Sequence, residues 1–311
     1  MAEPVTPLTA RPRAPLTIKR WRQVRERMIE GALFLAAFSA VAITMAIVAT
    51  LLIESASFFA HVSIIDFLTD TQWTPLFENP RYGILPLVAG TLTTSFIALL
   101  VAIPLGTITA IYLSEFARPR VREIVKPILE LISGVPTVVF GYFALLFVTP
   151  MLQSFMPNLP GFNMLGPGIV IGIMIVPYIS SLSEDAMRAV PMELREASYG
   201  MGASRFQTAV RVVTPAAMSG IVASYILGIS RAVGETMVVA IAAGQQPTLT
   251  FDPTEAAATI TAYIVQVAMG DLPHGSIGYQ SIFAAGLTLF AITLFFNLIG
   301  HWIRKRYREA Y

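Results

Sequence analysis

Apolar residues in this chain are gathered into six long runs rather than spread at the period of a water-facing helix or strand. Residues 31–53 carry no charge, and as a helix rising about 1.5 Å per residue they would cross a hydrocarbon core of roughly 30 Å with some tilt. The apolar region of a cleaved secretory signal is shorter, about 7–15 residues, so a retained span is expected. Further runs at about 83–113, 128–149, 166–187, 216–243 and 279–303 predict an all-α fold, a polytopic membrane bundle of six transmembrane helices. Residues 1–30 then form an N-terminal arm, 31–303 a transmembrane domain and 304–311 a short tail, with residues 1–17, rich in Pro, Thr and Arg, read as a disordered extension.

Composition agrees with that pattern. Of 311 residues 55% are hydrophobic and 13% charged, a charged share about half that of a soluble domain. The net charge of +2 gives no electrostatic case for nucleic acid, and the absence of cysteine removes disulfides, thiolate metal sites and thiol nucleophiles. His61, His274 and His301 are scattered, with no ligand spacing for a metal. All basic residues except Arg81 and Arg231 fall before the first run, after the second, after the fourth, or in the tail. Such residues are retained on the cytoplasmic side, so an even number of spans and two cytoplasmic termini are expected.

Pro104, Pro136, Pro177 and the glycines of residues 166–172 interrupt the apolar runs. In lipid, freed backbone groups must find partners, which suits a multi-helix bundle around a polar path; simple kinking for packing is the alternative.

Residues 188–215 are the longest connection on the inner side, and their pattern is helical. Pro191 suits a first helical position and Glu193 the first turn; Leu194, Ala197, Ser198 and Met201 fall on one face, and Gly200 and Gly202 break the helix. Ser204 can cap a second helix with an apolar stripe of Phe206, Ala209, Val210 and Val213 before Pro215. Two such helices joined by a glycine turn can present a knob to the groove of another protein, or else lie flat on lipid.

Within this connection Glu196, Ala197 and Ser198, then Gly202, then Val212 with Thr214 and Pro215, resemble the EAA loop of ABC importer permeases. The chain departs at Ser198 for Ala, Val212 for Ile and Thr214 for Leu. The resemblance implies that Glu196, Ala197, Ser198, Gly202, Arg205 and Phe206 couple the bundle to an ATPase. Residues 110–117 (AIYLSEFA), 133–147, 181–191 and 228–240 are further similar to phosphate-specific importer permeases, of the PstC type rather than the PstA type.

Arg231 and Glu235 are the only ionisable residues in the fifth run. Counted from Ala216, Arg231 lies about 22 Å along a helix, near mid-membrane, where an arginine costs about 2.5–3.5 kcal/mol and must face the bundle interior or a hydrated cavity. The four-residue spacing predicts Glu235 on the same face, with Gly220, Ser224 and Gly228 forming a small-residue row for close helix approach. Arg231 could offer a planar fork to phosphate oxygens, with Glu235 tempering its grip; a neutralising salt bridge for packing is equally consistent with the residues. The family resemblance, in which a charged pair at the matching positions is tied to transport, favours the substrate path. Thr236 could offer its hydroxyl there, or bond its own helix backbone. Glu130, Glu184 and Asp185 fall near water-accessible span ends, with structural or capping roles expected, and Trp73, Tyr263, Trp302 and Tyr307 read as interfacial anchors.

No Walker-type phosphate loop is present, so the chain is expected to be a non-catalytic subunit with no cofactor of its own, ATP and Mg being bound by a partner. The resemblance implies a second, PstA-like permease, a dimer of PstB-like ATP-binding subunits and a periplasmic phosphate-binding protein, in the cell inner membrane and in contact with lipid. Asp252, Glu255 and Asp271 in the outer segment 244–278 are candidates to contact the binding protein. A molybdate or sulfate permease and an ion-driven secondary transporter are the alternatives; an intramembrane enzyme would need convergent catalytic groups that the spans lack.

Overall fold

The computed structural model describes the backbone of residues 16–306 and the side chains of residues 21–305. The N-terminal residues 1–15, and Tyr307 and Arg308 in the tail, lie outside the described residues, while Leu16 and Thr17 already belong to the first helix. The chain divides into two compact units, Met1–Leu52 and Ile53–Tyr311.

The described part of the first unit is one helix, α1, which runs as Leu16–Phe59 and so continues into the second unit. Its Leu33, Phe34, Phe38, Val41 and Ile47 are exposed, as suits a helix solvated by acyl chains, where exposed apolar side chains carry no penalty.

The second unit is built on two tightly packed helices, α3 (Leu85–Ile111), prolonged by a π turn at Tyr112–Phe116, and α7 (Leu165–Arg188). A Cβ at Gly168 would lie 2.8 Å from the Ile97 side chain, and one at Gly172 would lie 2.7 Å from the carbonyl oxygen of Ala98. Gly168 and Gly172 therefore serve close approach of α7 to α3, while Gly166 lies against Thr149. Pro104 and Pro177 sit inside helices that continue past them.

Around this pair lie α4 (Pro119–Ser133), α5 (Thr137–Phe143), α6 (Thr149–Gln153), α11 (Met218–Val233), α12 (Met237–Ala242) and α14 (Ile277–Arg306). Ala98, Ala102, Val170, Met174, Ile175, Ile179, Val238 and Val239 form the central core. The short α2 (Ile64–Thr69) and α13 (Ile260–Gln266) close one end with Phe58, Phe67, Trp73 and Tyr263. There the Trp73 and Tyr263 rings meet edge to face at 4.9 Å and are 1% and 3% exposed. Both were expected as interfacial anchors; they are core residues instead, whereas Trp302 is exposed. The segment 244–278, expected as an outer loop, is not a simple loop, since α13 within it is largely buried.

Among the described residues, four helical stretches are long and apolar enough to cross a membrane: Trp21–Phe59, Leu85–Phe116, Leu165–Arg188 and Ile277–Lys305. Counting each of two bent helix pairs as one span gives up to six, and breaks in the helices correct two predicted spans. The third, drawn over 128–149, breaks between Ser133 and Thr137, where the helix turns by 87°. Gly134 ends α4, and Pro136, whose ring fixes φ and lacks an N–H, precedes α5 as its cap. The fifth, drawn over 216–243, begins at Met218 after a 73° bend and ends at Val233, with Gly234, Glu235 and Thr236 separating it from α12.

Candidate transport path and coupling surface

Arg231 occupies the last turn of α11, where its charge complements the carbonyl end of the helix dipole. Its side chain is exposed, with the guanidinium carbon 5.7 Å from the centre of the Tyr178 ring. Tyr178 is about 20 Å along α7 from Leu165, more than halfway down that helix, which keeps Arg231 at mid-bundle depth.

Glu235 does not join it. The expected common face requires a continuous helix, and α11 stops at Val233; among the described residues no ion pair links Arg231 to a carboxylate. Glu235 is instead 5% exposed, and its Oε1 accepts from the backbone N–H groups of Met237 and Val238 at 3.2 and 3.5 Å. The carboxylate thus caps the start of α12, and the Glu235 carbonyl accepts from Thr261 Oγ1 at 2.7 Å. Thr236 donates its hydroxyl to the Gly234 carbonyl at 3.2 Å, so it bonds local backbone and sits half-buried at the break. The small-residue row is present as expected. Gly220 lies against Ala186, Gly228 against Ile175 and Ile179, and Ser224 Oγ shares a 2.7 Å hydrogen bond with Ser183 Oγ on α7.

At the far end of α7 the connection to α11 forms the predicted knob. Here α8 (Met192–Gly200) is followed by α9 (Arg205–Thr208), a π turn at Ala209–Val213 and α10 (Thr214–Ala216). Pro191 precedes α8 as its cap rather than opening it. Gly202 has φ +84°, the left-handed value for which its lack of a Cβ is suited. Ser204 caps α9 in a reciprocal box with Gln207.

The residues likened to the EAA loop divide between two faces. Glu196, Ala197, Gly202, Arg205 and Phe206 are exposed, Phe206 at 66%, whereas Ser198 bonds Thr208 at 2.9 Å and holds the two helices together. Two apolar assignments fail: Met201 is 89% exposed just past α8, and Phe206 and Val210 stand outside the stripe that Ala209 and Val213 bury. The outer face of the knob is therefore more apolar than the pattern suggested.

Five ion pairs fasten this end of the bundle, and the sequence did not single them out as pairs. Arg195, 9% exposed, reaches Glu115 at the end of α3 through Nε and Nη2 at 3.2 and 2.9 Å. It also donates to the carbonyls of Met187 and Val190 at the end of α7, at 2.8 and 2.7 Å. Lys126 of α4 donates to Glu184 at 2.8 Å and to Asp185 at 2.6 Å. Glu184, expected near water, is 1% exposed and also has Arg122 and Arg188 within 3.6 and 3.7 Å. Asp185 stays exposed. The only sequence signal for these ties was a carboxylate at a span end and a concentration of basic residues nearby.

At the opposite end, Asp252 accepts from the Thr254 hydroxyl and N–H, which holds its carboxyl below the usual range. Among the described residues no group of three or more His, Cys, Asp and Glu could hold a metal ion.

A membrane helix bundle with a broken span and a two-helix knob is the architecture expected of an ABC importer permease. The chain belongs to the family of binding-protein-dependent transport system inner membrane components, whose pattern matches residues 102–309. It is 34% identical to the probable ABC transporter permease protein YqgH of Bacillus subtilis, over 91% of each chain. It is 33% identical to the phosphate transport system permease protein PstC of Mesorhizobium japonicum, covering 77% of this chain and 78% of that one. PstC 1 of Mycobacterium tuberculosis is 32% identical over 77% of this chain and 81% of its own. In fold it is similar to a chain of a bacterial ABC transporter for alginate import (TM-score 0.65, 18% identity, 94% of this chain and 100% of that one). The MetNI methionine ABC transporter, facing inward, gives a TM-score of 0.53 at 16% identity, covering 73% of this chain and 94% of that chain.

Proposed function

We propose that this permease carries phosphate, and that Arg231 lines its route. The observation that supports this most directly is the guanidinium itself, exposed beside Tyr178 at mid-bundle depth and unpaired with any described carboxylate. A structural arginine at that depth would be neutralised by a neighbour, whereas one that meets a passing anion needs its fork open. Similarity to PstC permeases of phosphate systems supports the choice of anion.

The rest of the machine is proposed from the similarity to PstC permeases and to ABC importers. The chain has no nucleotide-binding loop, so a dimer of PstB-like ATPases receives the exposed knob residues Glu196, Ala197, Gly202, Arg205 and Phe206, with Ser198 bracing them from behind. A PstA-like permease completes the route, and a periplasmic phosphate-binding protein docks on the end that carries Asp252 and Glu255. Both termini face the cytoplasm. Closure of the ATPase dimer moves the knob and switches the bundle between inward and outward states. Glu235 acts in this scheme by holding the start of α12, and Thr236 by offering its hydroxyl at the break.

The test is uptake of radiolabelled phosphate by the assembled complex in liposomes, with ATP inside. Phosphate should enter, molybdate and sulfate should compete weakly, and Arg231→Gln should abolish uptake while leaving assembly and ATP binding intact. Uptake at the parent rate by that variant, or entry that persists without the ATPase, rejects the proposal.

A further inference from the structure

Four hydrogen bonds from one guanidinium converge where the knob meets the bundle. Arg195 sits in α8 next to Glu196, so the same helical turn carries an outward residue and a buried one. Its partner Glu115 lies 80 residues earlier in the π turn that ends α3, and the two side chains are 11% and 6% exposed. The remaining donors reach the carbonyls of Met187, in the last turn of α7, which also accepts from the Val190 N–H, and of Val190 just beyond it. A fork held at both carboxylate oxygens and two carbonyls has one geometry, which a single flexible ammonium would not have.

Net stability is a poor reason for such a pair, because apolar residues of similar volume hold a core equally well. What the pair provides is a fixed angle. The other inward fastening of the knob is apolar, with Val190, Val213 and the partly buried Leu194 packed with Ala110 of α3 and Met187 of α7, and such contacts slide more readily than a bidentate ion pair. Beyond the pair, α3 and α7 are locked along their length by Gly106, Gly168 and Gly172. Tyr178, which carries Arg231 over its ring, is about 15 Å up α7 from Arg188.

We propose that the Glu115–Arg195 pair is the joint that makes the knob, α3 and α7 move as one body, so that displacement of the knob is delivered to Tyr178 and Arg231. Both are positioning residues, acting through the helices they fasten. The inference rests on the reading of this chain as an ATP-driven importer.

The chain has no cysteine, which allows a direct test. Glu115→Cys and Arg195→Cys are combined in the full complex, with cysteines of the partner subunits replaced. ATP hydrolysis and uptake are measured together in liposomes. The unlinked double variant is expected to hydrolyse ATP at near the parent rate but to import at least 10-fold less per ATP. A short bifunctional thiol reagent bridging the two positions is expected to restore import per ATP, because a fixed joint tolerates a covalent tie. Import that stays uncoupled after bridging overturns the proposal, as does normal import by the unlinked variant. Arg195→Lys covers the case in which the double variant does not assemble. It keeps the charge but loses the fork, and should assemble with a reduced import-to-ATP ratio; parent-like import by Arg195→Lys overturns the joint. If the parent complex itself imports no phosphate, the substrate assignment fails instead, and the ratio is then read on the oxyanion it does carry.

Discussion

Glu235 shows how a carboxylate in a membrane span can be occupied by the backbone rather than by a neighbouring charge. Its Oε1 takes two N–H groups at the start of α12 that no earlier turn can satisfy, and Gly234 before it ends α11. Loss of a side-chain cap costs about 1 kcal/mol, so Glu235→Ala should lower the thermal midpoint of the solubilised complex. Glu235→Gln keeps an acceptor oxygen in the same place and should lower it by less than half as much. Equal losses in the two variants would show that the cap is not what Glu235 supplies. Arg231 has the complementary arrangement, with an aromatic face and a helix terminus for neighbours and its donors open. The four-residue spacing in the sequence is consistent with either arrangement, because spacing constrains faces only while the helix is unbroken.

At the scale of elements, π turns precede two prolines in the same way. Thr149 and Thr214 each donate a backbone N–H to a carbonyl five residues back, Ala144 and Ala209, and Pro150 and Pro215 follow. A proline ring clashes with the carbonyl four residues before it, and a widened turn gives that carbonyl room. Helix spacing is set by glycine in a comparably local way. At Gly172 a new Cβ would meet the Ala98 carbonyl oxygen at 2.7 Å, a backbone atom that cannot rotate aside, whereas at Gly228 it would meet side-chain carbons Cδ1 and Cγ1 of Ile179 at 3.1 and 3.2 Å. Overpacking costs about 1–3 kcal/mol when the neighbour cannot yield. Gly172→Ala is therefore expected to destabilise the detergent-solubilised protein clearly more than Gly228→Ala, as read by thermal unfolding. The reverse order would mean that α3 and α7 separate more readily than their packing implies.

For the whole molecule, the two ends are chemically distinct: one carries the charged ties of Glu115, Glu184, Lys126 and Arg195, the other the aromatic cluster of Trp73, Tyr82 and Tyr263. If the first end is cytoplasmic, single cysteines placed at the exposed positions Glu196 and Asp252 should label oppositely. An impermeant maleimide added to intact cells should react at position 252 and not at 196, and the pattern should invert in inside-out vesicles. The amino-acid sequence by itself determined that the chain spans a membrane, how many apolar runs it has, where the knob lies, why Gly202 turns it and which small residues let α11 approach α7. Each of these depends on neighbours within a few turns, and hydrophobicity and helical period report such neighbours directly. Only the tertiary structure decided that two of the runs are broken, that Arg231 and Glu235 part company, and that Arg195 meets Glu115. The breaks occur where a glycine or proline that could have been a mere kink meets packing that rewards one. The ion pair joins residues brought close only when α3, α7 and the knob pack, and no local periodicity carries information across that separation.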